Sequence, residues 1–167
     1  MMNLTLEQFL DLQADIHQTA VSKGWWPPCP TDRPVPEILL LIHSEIDEAV
    51  IALEDDISQL ETELADIAIR LLDFAQGYQI PLITDLIKSS YVYDYRPVST
   101  SATLLDLHVR LTEAFQFWRK SDIDGFHSYL ADTFAILVSH CNQYEQLNLL
   151  SAIQRKNKHN KTRPPRS

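Results

Sequence analysis

Glu45, Glu48, Glu63 and Asp66 form two pairs of carboxylates, each pair spaced by three residues inside LLLIHSEIDEAVIALEDDISQLETELAD, the stretch Leu39–Asp66. The surrounding apolar residues recur with helical period, and a spacing of three puts both members of a pair on one helix face. On a wheel of about 100° per residue, Ile42, Ile46, Ala49 and Leu53 make one apolar stripe with Glu45 inside it, between Ile38 and Ala52. Glu48 falls at the rim of the stripe beside Leu41. Glu63 sits beside Phe74 at the edge of a Leu60, Leu64, Ile67, Leu71 face, with Asp66 further out. Antiparallel packing of the two helices would bring the four acids together. Anions gathered at a half-buried site either take up protons or collect cations, because desolvating a bare carboxylate is costly. Hard oxygen donors without cysteine favour Mg²⁺ or Mn²⁺ over zinc. The competing reading of an E-x-x-E pair is a solvated helix face.

The elements that must position these acids are helical. The 167 residues include only 3 Gly, and the 9 Pro cluster mostly between long segments of 3.6-residue periodicity, which predicts an all-α single domain able to bury a core. A net charge of -9 and a pI near 5.0 argue against a general nucleic-acid binder, despite a basic last dozen residues. Without a bilayer-length apolar run or a signal-like start, the chain reads as cytoplasmic and not membrane-bound. Cys29 and Cys141 lack metal-type spacing and read as incidental reduced thiols.

A first helix is expected from about Leu4 to Ser22, opened by a Thr5–Gln8 capping box, with Leu6, Phe9, Leu10, Ile16 and Val21 on its buried side. Lys23-Gly24 ends it. In the proline-fixed loop that follows, Trp25 and Trp26 either anchor the loop to the bundle or offer one ring to a ligand's base. A second helix from about Pro36 to Asp56 and a third from about Gln59 to Gln79 carry the acids, with a Ser58–Glu61 capping box in a turn short enough to force antiparallel neighbours. Pro81 opens a fourth helix through about Lys88. Ser89–Ser101 is a Tyr-rich linker.

From Thr103 the pattern restarts. His43-Ser-Glu-Ile-Asp-Glu48 aligns with His108-Val-Arg-Leu-Thr-Glu113, Leu64-Ala-Asp66 with Leu130-Ala-Asp132, Tyr78 with Tyr144, and Arg96-Pro97 with Arg163-Pro164. A nearly constant offset across a whole half reads as two tandem degenerate repeats, about 1–98 and about 99–167, forming an internal pseudo-dimer; the competing reading is that amphipathic helices merely resemble one another. Arg110 and Tyr129 stand where Glu45 and Glu63 stand in the first copy, so the second copy cannot hold the same metal. Its end, Lys156 to Pro164, is cationic where the first copy's, Tyr93 to Pro97, is not.

Lys23-Gly-Trp-Trp26, His43 to Ala49, Glu63-Leu-Ala-Asp66 through Arg70 to Asp73, Gly77-Tyr78 and Asn160-Lys-Thr-Arg163-Pro164 resemble, in order and over nearly the whole chain, the MazG-like all-α nucleoside triphosphate pyrophosphohydrolases. The resemblance implies a MazG-like helical bundle and Mg²⁺-dependent cleavage of a (d)NTP between its α and β phosphates, giving nucleoside monophosphate and pyrophosphate in a house-cleaning role. It assigns metal binding to Glu45, Glu48, Glu63 and Asp66, and triphosphate binding to Lys156, Asn160 and Arg163. Trp25 or Trp26 would face the base, and Glu48 or Glu45 would act as the base toward water. His43 reads as a packing residue. A duplicated subunit with one worn half is similar to the arrangement proposed for the dimeric dUTPases of the same superfamily, with further homodimer formation open. Two rival readings stand beside this one: a nucleotide- or metal-binding pseudoenzyme, and a helical interaction protein with an acidic docking face.

Overall fold

The computed structural model describes residues 4–88, 95–96, 98–144 and 147–166. Within them are seven α-helices: α1 Leu6–Ser22, α2 Val35–Asp55, α3 Leu60–Gly77, α4 Leu82–Lys88, α5 Thr100–Arg119, α6 Ile123–Gln143 and α7 Leu149–Thr162, with short 3₁₀ turns at Pro30–Asp32 and Ile57–Gln59. The described residues contain no strand, and none of their helices is long and apolar enough to cross a membrane. Part of the expected linker, residues 89–94 and 97, lies outside the described residues. So do Tyr93, Asp94 and Pro97 of the first copy's tail.

The central helix is α3, which packs against α1, α2, α6 and α7. Four neighbours require apolar side chains nearly all round it, and Leu64, Ala65, Ile67, Ala68, Leu71, Leu72, Phe74 and Ala75 are all buried. Against it, α2 buries Ile38, Leu39, Ile42, Ile46, Ala49 and Ala52. The link between them is a single 3₁₀ turn, so the pair is antiparallel, and the contact of Arg70 with Glu45 fixes its register. A second close pair, α5 and α6, sits against α2 through α5, and α4 covers α6. Cys29 is an exposed free thiol and Cys141 a buried one.

The helix ends show where local chemistry decides. The Thr5 side chain accepts from the Gln8 N–H at 3.2 Å, and the Thr5 N–H donates to Gln8 Oε1 at 2.9 Å, so the expected capping box starts α1. Gly24, at φ +76°, takes the left-handed turn after its end. The Ser58–Glu61 box does not form. Asp56 instead receives the Ser58 N–H at 3.1 Å, while Glu61 is drawn to α7, accepting from the Asn148 N–H at 2.7 Å and from Arg155 at 2.6 Å. The inner face of α1 also differs from expectation: Phe9, Gln13, Ile16 and Thr19 are buried, whereas Leu6, Leu10 and Val21 are exposed. A helix seated mainly on one neighbour buries a narrow seam, and Gln13 is accepted there because it donates to Gln76 at 2.9 Å.

Candidate functional site

Glu45 is only 8% exposed, as its place inside the α2 stripe requires. Helical geometry carries Glu48 one turn further along the same face to an exposed position, and the antiparallel register brings Glu63 and Asp66 of α3 alongside. One oxygen from each of Glu45, Glu48 and Glu63 lies within 4.8 Å of the other two. Opposite ligands of an octahedral Mg²⁺ stand about 4 Å apart at metal–oxygen distances of about 2.0–2.1 Å, so this donor set fits a hard divalent cation after a shift of about 1 Å or less. Asp66 stands outside that triad. Its side chain is 14% exposed, not on the outer rim where the wheel placed it, and its Oδ2 receives Lys156 Nζ at 2.5 Å.

The electrostatics are those of crowded anions. Burial pushes the Glu63 carboxyl above its ordinary value, and the charges of Asp66, Glu48 and Glu45 add to that while Lys156 opposes it. Burial likewise raises Asp66, against the hydrogen bond and charge of Lys156. Glu45 keeps a partner of its own, because Arg70 Nε donates to its Oε1 at 2.8 Å.

Except for Glu63, which stands beside Glu45 and Glu48 outside the lining, these groups line a cleft of about 390 Å³. Glu45 and Glu48 come to it from α2, Asp66 and Arg70 from α3, and Lys156 and Asn160 from α7, with Arg163 just beyond. Lys156 and Asn160, four residues apart, share a face of α7, and Arg163 follows just past the helix end. Asn160 Oδ1 is buried with no hydrogen-bond partner, an unsatisfied polar atom of the kind that ligand sites retain. Arg163 lines the cleft without a carboxylate partner among the described residues.

The two tryptophans separate. Trp25 lines the cleft, half-buried, with the guanidinium carbons of Arg166 and Arg70 at 4.1 and 4.7 Å from its ring. Trp26 is buried: its Nε1 donates to both Asp73 oxygens at 2.8 and 3.0 Å, and its ring lies edge-on to His17. It is an anchor of the loop and not part of the cleft wall. Gly77 is what admits it, since a Cβ there would stand 2.5 Å from the Trp26 ring. His43 lies outside the carboxylate triad, stacked on His108 with ring centroids 4.9 Å apart.

Four charged cleft residues have no assigned role in the sequence: Lys23, Arg70, Asp73 and Arg166. Arg70 was within reach, because folding α2 on α3 about the turn at Ile57–Gln59 sets it opposite Glu45. Asp73 had no such signal, being held by His17 at 2.7 Å and by Trp26, both distant in sequence. Arg166 reaches the site through a tail contact, its N–H donating to the Lys23 carbonyl at 3.0 Å. Compared with protein-family models, curated proteins and solved structures, the chain matches none of them.

Proposed function

We propose that this chain is a Mg²⁺-dependent nucleotide pyrophosphohydrolase of house-cleaning type, cleaving a (d)NTP between its α and β phosphates to nucleoside monophosphate and pyrophosphate. One observation carries this: three carboxylates with mutually close oxygens, Glu45, Glu48 and Glu63, adjoin a single cleft that also takes in Lys156, Asn160 and Arg163. Clustered acids alone suit many cation sites, and a cationic groove alone suits many anions. Together they match a substrate that is both metal-bound and polyanionic.

A bound divalent cation would neutralise charge on the phosphate oxygens and lower the pKa of an attacking water. Glu45, Glu48, Glu63 and Asp66 would supply the metal ligands, the first three around one ion, with Mn²⁺ serving in place of Mg²⁺. Between the two candidate bases, Glu48 suits the role better: it is exposed and pairs with no cation among the described residues, whereas Glu45 is buried and held by Arg70. Lys156 and Arg163 neutralise the departing pyrophosphate, Arg163 with a two-pronged donor. Trp25 gives the base a stacking surface, which supplies affinity with little selectivity.

We also assign the chain a MazG-like bundle with two degenerate repeats paired as an internal pseudo-dimer. In its support, His43 and His108, matched residues of the two repeats, stack with planes 8° apart and their Nδ1 atoms 2.6 Å from each other. Contact of a residue with its own counterpart is what a two-fold axis produces. At the positions matching Glu45 and Glu63, the Arg110 guanidinium lies 5.7 Å from the Tyr129 ring, a pair that has no use for a metal.

A panel of NTPs and dNTPs with Mg²⁺ and identified products tests the activity. Monophosphate plus pyrophosphate is expected; release of orthophosphate, or no turnover on any of them, overturns it. The pseudoenzyme reading has one point in its favour, that Glu45 and Asp66 already have cationic partners, and the same panel separates the two.

A further inference from the structure

The acid cluster carries its own counter-charges. Arg70 pairs with Glu45 and Lys156 with Asp66, which leaves Glu48 and Glu63 as the carboxylates with no ion pair to a described residue. One divalent cation matches that remaining charge. It also matches the geometry, since the mutually close oxygens belong to Glu45, Glu48 and Glu63, and Asp66 is not among them.

Lys156 is placed to leave. It shares a face of α7 with Asn160, Arg163 follows just past the helix end, and all three line the cleft. Helix α7 does not depend on it for docking: Arg155 and the Asn148 N–H hold Glu61 of α3, and Asn157 and Lys161 hold Asp15 of α1 at 2.7 Å. The ammonium can therefore quit Asp66 by rotating its own stem. What keeps it there is that a half-buried carboxylate stripped of its cation is costly, so departure requires a replacement.

Resting on the hydrolase reading above, we infer that Lys156 is the exchangeable occupant of a second cation position. One divalent ion sits among Glu45, Glu48 and Glu63 with Lys156 still on Asp66. A second ion takes Asp66 when a polyphosphate draws the ammonium toward Asn160 and Arg163, so that completion of the metal site is coupled to substrate.

Counting Mn²⁺ bound to the full chain without nucleotide, by electron paramagnetic resonance, tests this. Wild type is expected to bind one ion, Lys156→Gln and Lys156→Met two, Lys156→Arg one because it keeps the charge, and Lys156→Gln with Asp66→Asn one again. Two ions in wild type, or one in both Lys156→Gln and Lys156→Met, overturns the exchange while leaving the metal hydrolase standing. No Mn²⁺ bound by any of these proteins would sink the metal reading itself, and the exchange with it.

Discussion

Glu45 is the side chain that packing alone does not explain. A carboxylate buried in an apolar stripe lowers the stability of α2 unless something compensates, and the Arg70 hydrogen bond does so at the edge of the cleft, not deep in the core. Glu45 and Asp66 are thus neutralised in place by Arg70 and Lys156, and the residues left for metal and substrate are those without such a partner. Glu63→Gln removes a ligand oxygen that has no counter-ion, and Arg163→Ala removes a cation from the cleft wall. Each is expected to lower kcat/KM by about a hundredfold or more, on the scale of other charge-stabilising groups, in a steady-state assay of pyrophosphate release. Full activity in Arg163→Ala would detach the tail from the site. A second residue-scale prediction concerns His140, which is fully buried and shifted by that burial down to about 4, with Nδ1 on Thr103 at 2.9 Å and Nε2 unpartnered. Its folded pKa lies below the unfolded value, so above about pH 6.5 it is neutral in both states and contributes nothing to pH dependence. As pH falls below that, the unfolded chain takes up a proton the folded chain refuses. Stability drops until pH reaches about 4, by about 2–3 kcal/mol in all. Urea denaturation across that range should show this slope in wild type and lose it in His140→Phe, which keeps a ring of similar breadth in the core without a titrating nitrogen.

At the level of elements, the legible part of the fold is the part set by short-range chemistry and by periodicity. The Thr5–Gln8 box, the stop at Lys23-Gly24 and the α2 stripe containing Glu45 depend on residues within a few positions of one another, and they stand as the pattern implies. The misreadings all involve a distant partner. Glu61 leaves its local capping role for Arg155 and the Asn148 N–H, and Leu6, Leu10 and Val21 stay exposed because α1 meets its neighbours along a narrow seam. Trp26 could not be told from Trp25 by sequence, since the distinction is made by Asp73 and Gly77, which α3 delivers to the loop. The candidate site follows the same division: the carboxylate triad was readable from helical spacing, but the partners of Glu45 and Asp66 came from other helices. The loop's anchorage gives an element-scale prediction. Gly77→Ala places a methyl group against the Trp26 ring, where overpacking costs about 1–3 kcal/mol. Thermal unfolding followed by circular dichroism should show a midpoint lowered by about 3–10 °C. An unchanged midpoint would mean that the loop yields without loss and Trp26 anchors nothing.

Across the whole molecule, the candidate metal site lies on the α2–α3 pair, while the cations facing it ride on α7 and the tail, so the cleft exists only when both ends of the chain are docked on α3. That arrangement ties ligand binding to global stability. An ion held by residues of α2 and α3 binds the folded chain and finds no such site in the unfolded one. Mass action then stabilises the fold by about 2.7 kcal/mol at a hundredfold excess over Kd. For a chain of 167 residues, where about 1 kcal/mol moves the midpoint by about 2–4 °C, Mg²⁺ should raise the unfolding midpoint by roughly 5–10 °C. Glu63→Gln should abolish the rise, and Asp132→Asn, which the proposed repeat alignment pairs with Asp66, should leave it intact. A generic acidic surface predicts otherwise: Mg²⁺ would act only by screening, Na⁺ at equal ionic strength would reproduce it, and the two variants would respond alike. Calorimetry of the three proteins in the two salts separates a magnesium site in the first half of the chain from acidic decoration spread over both.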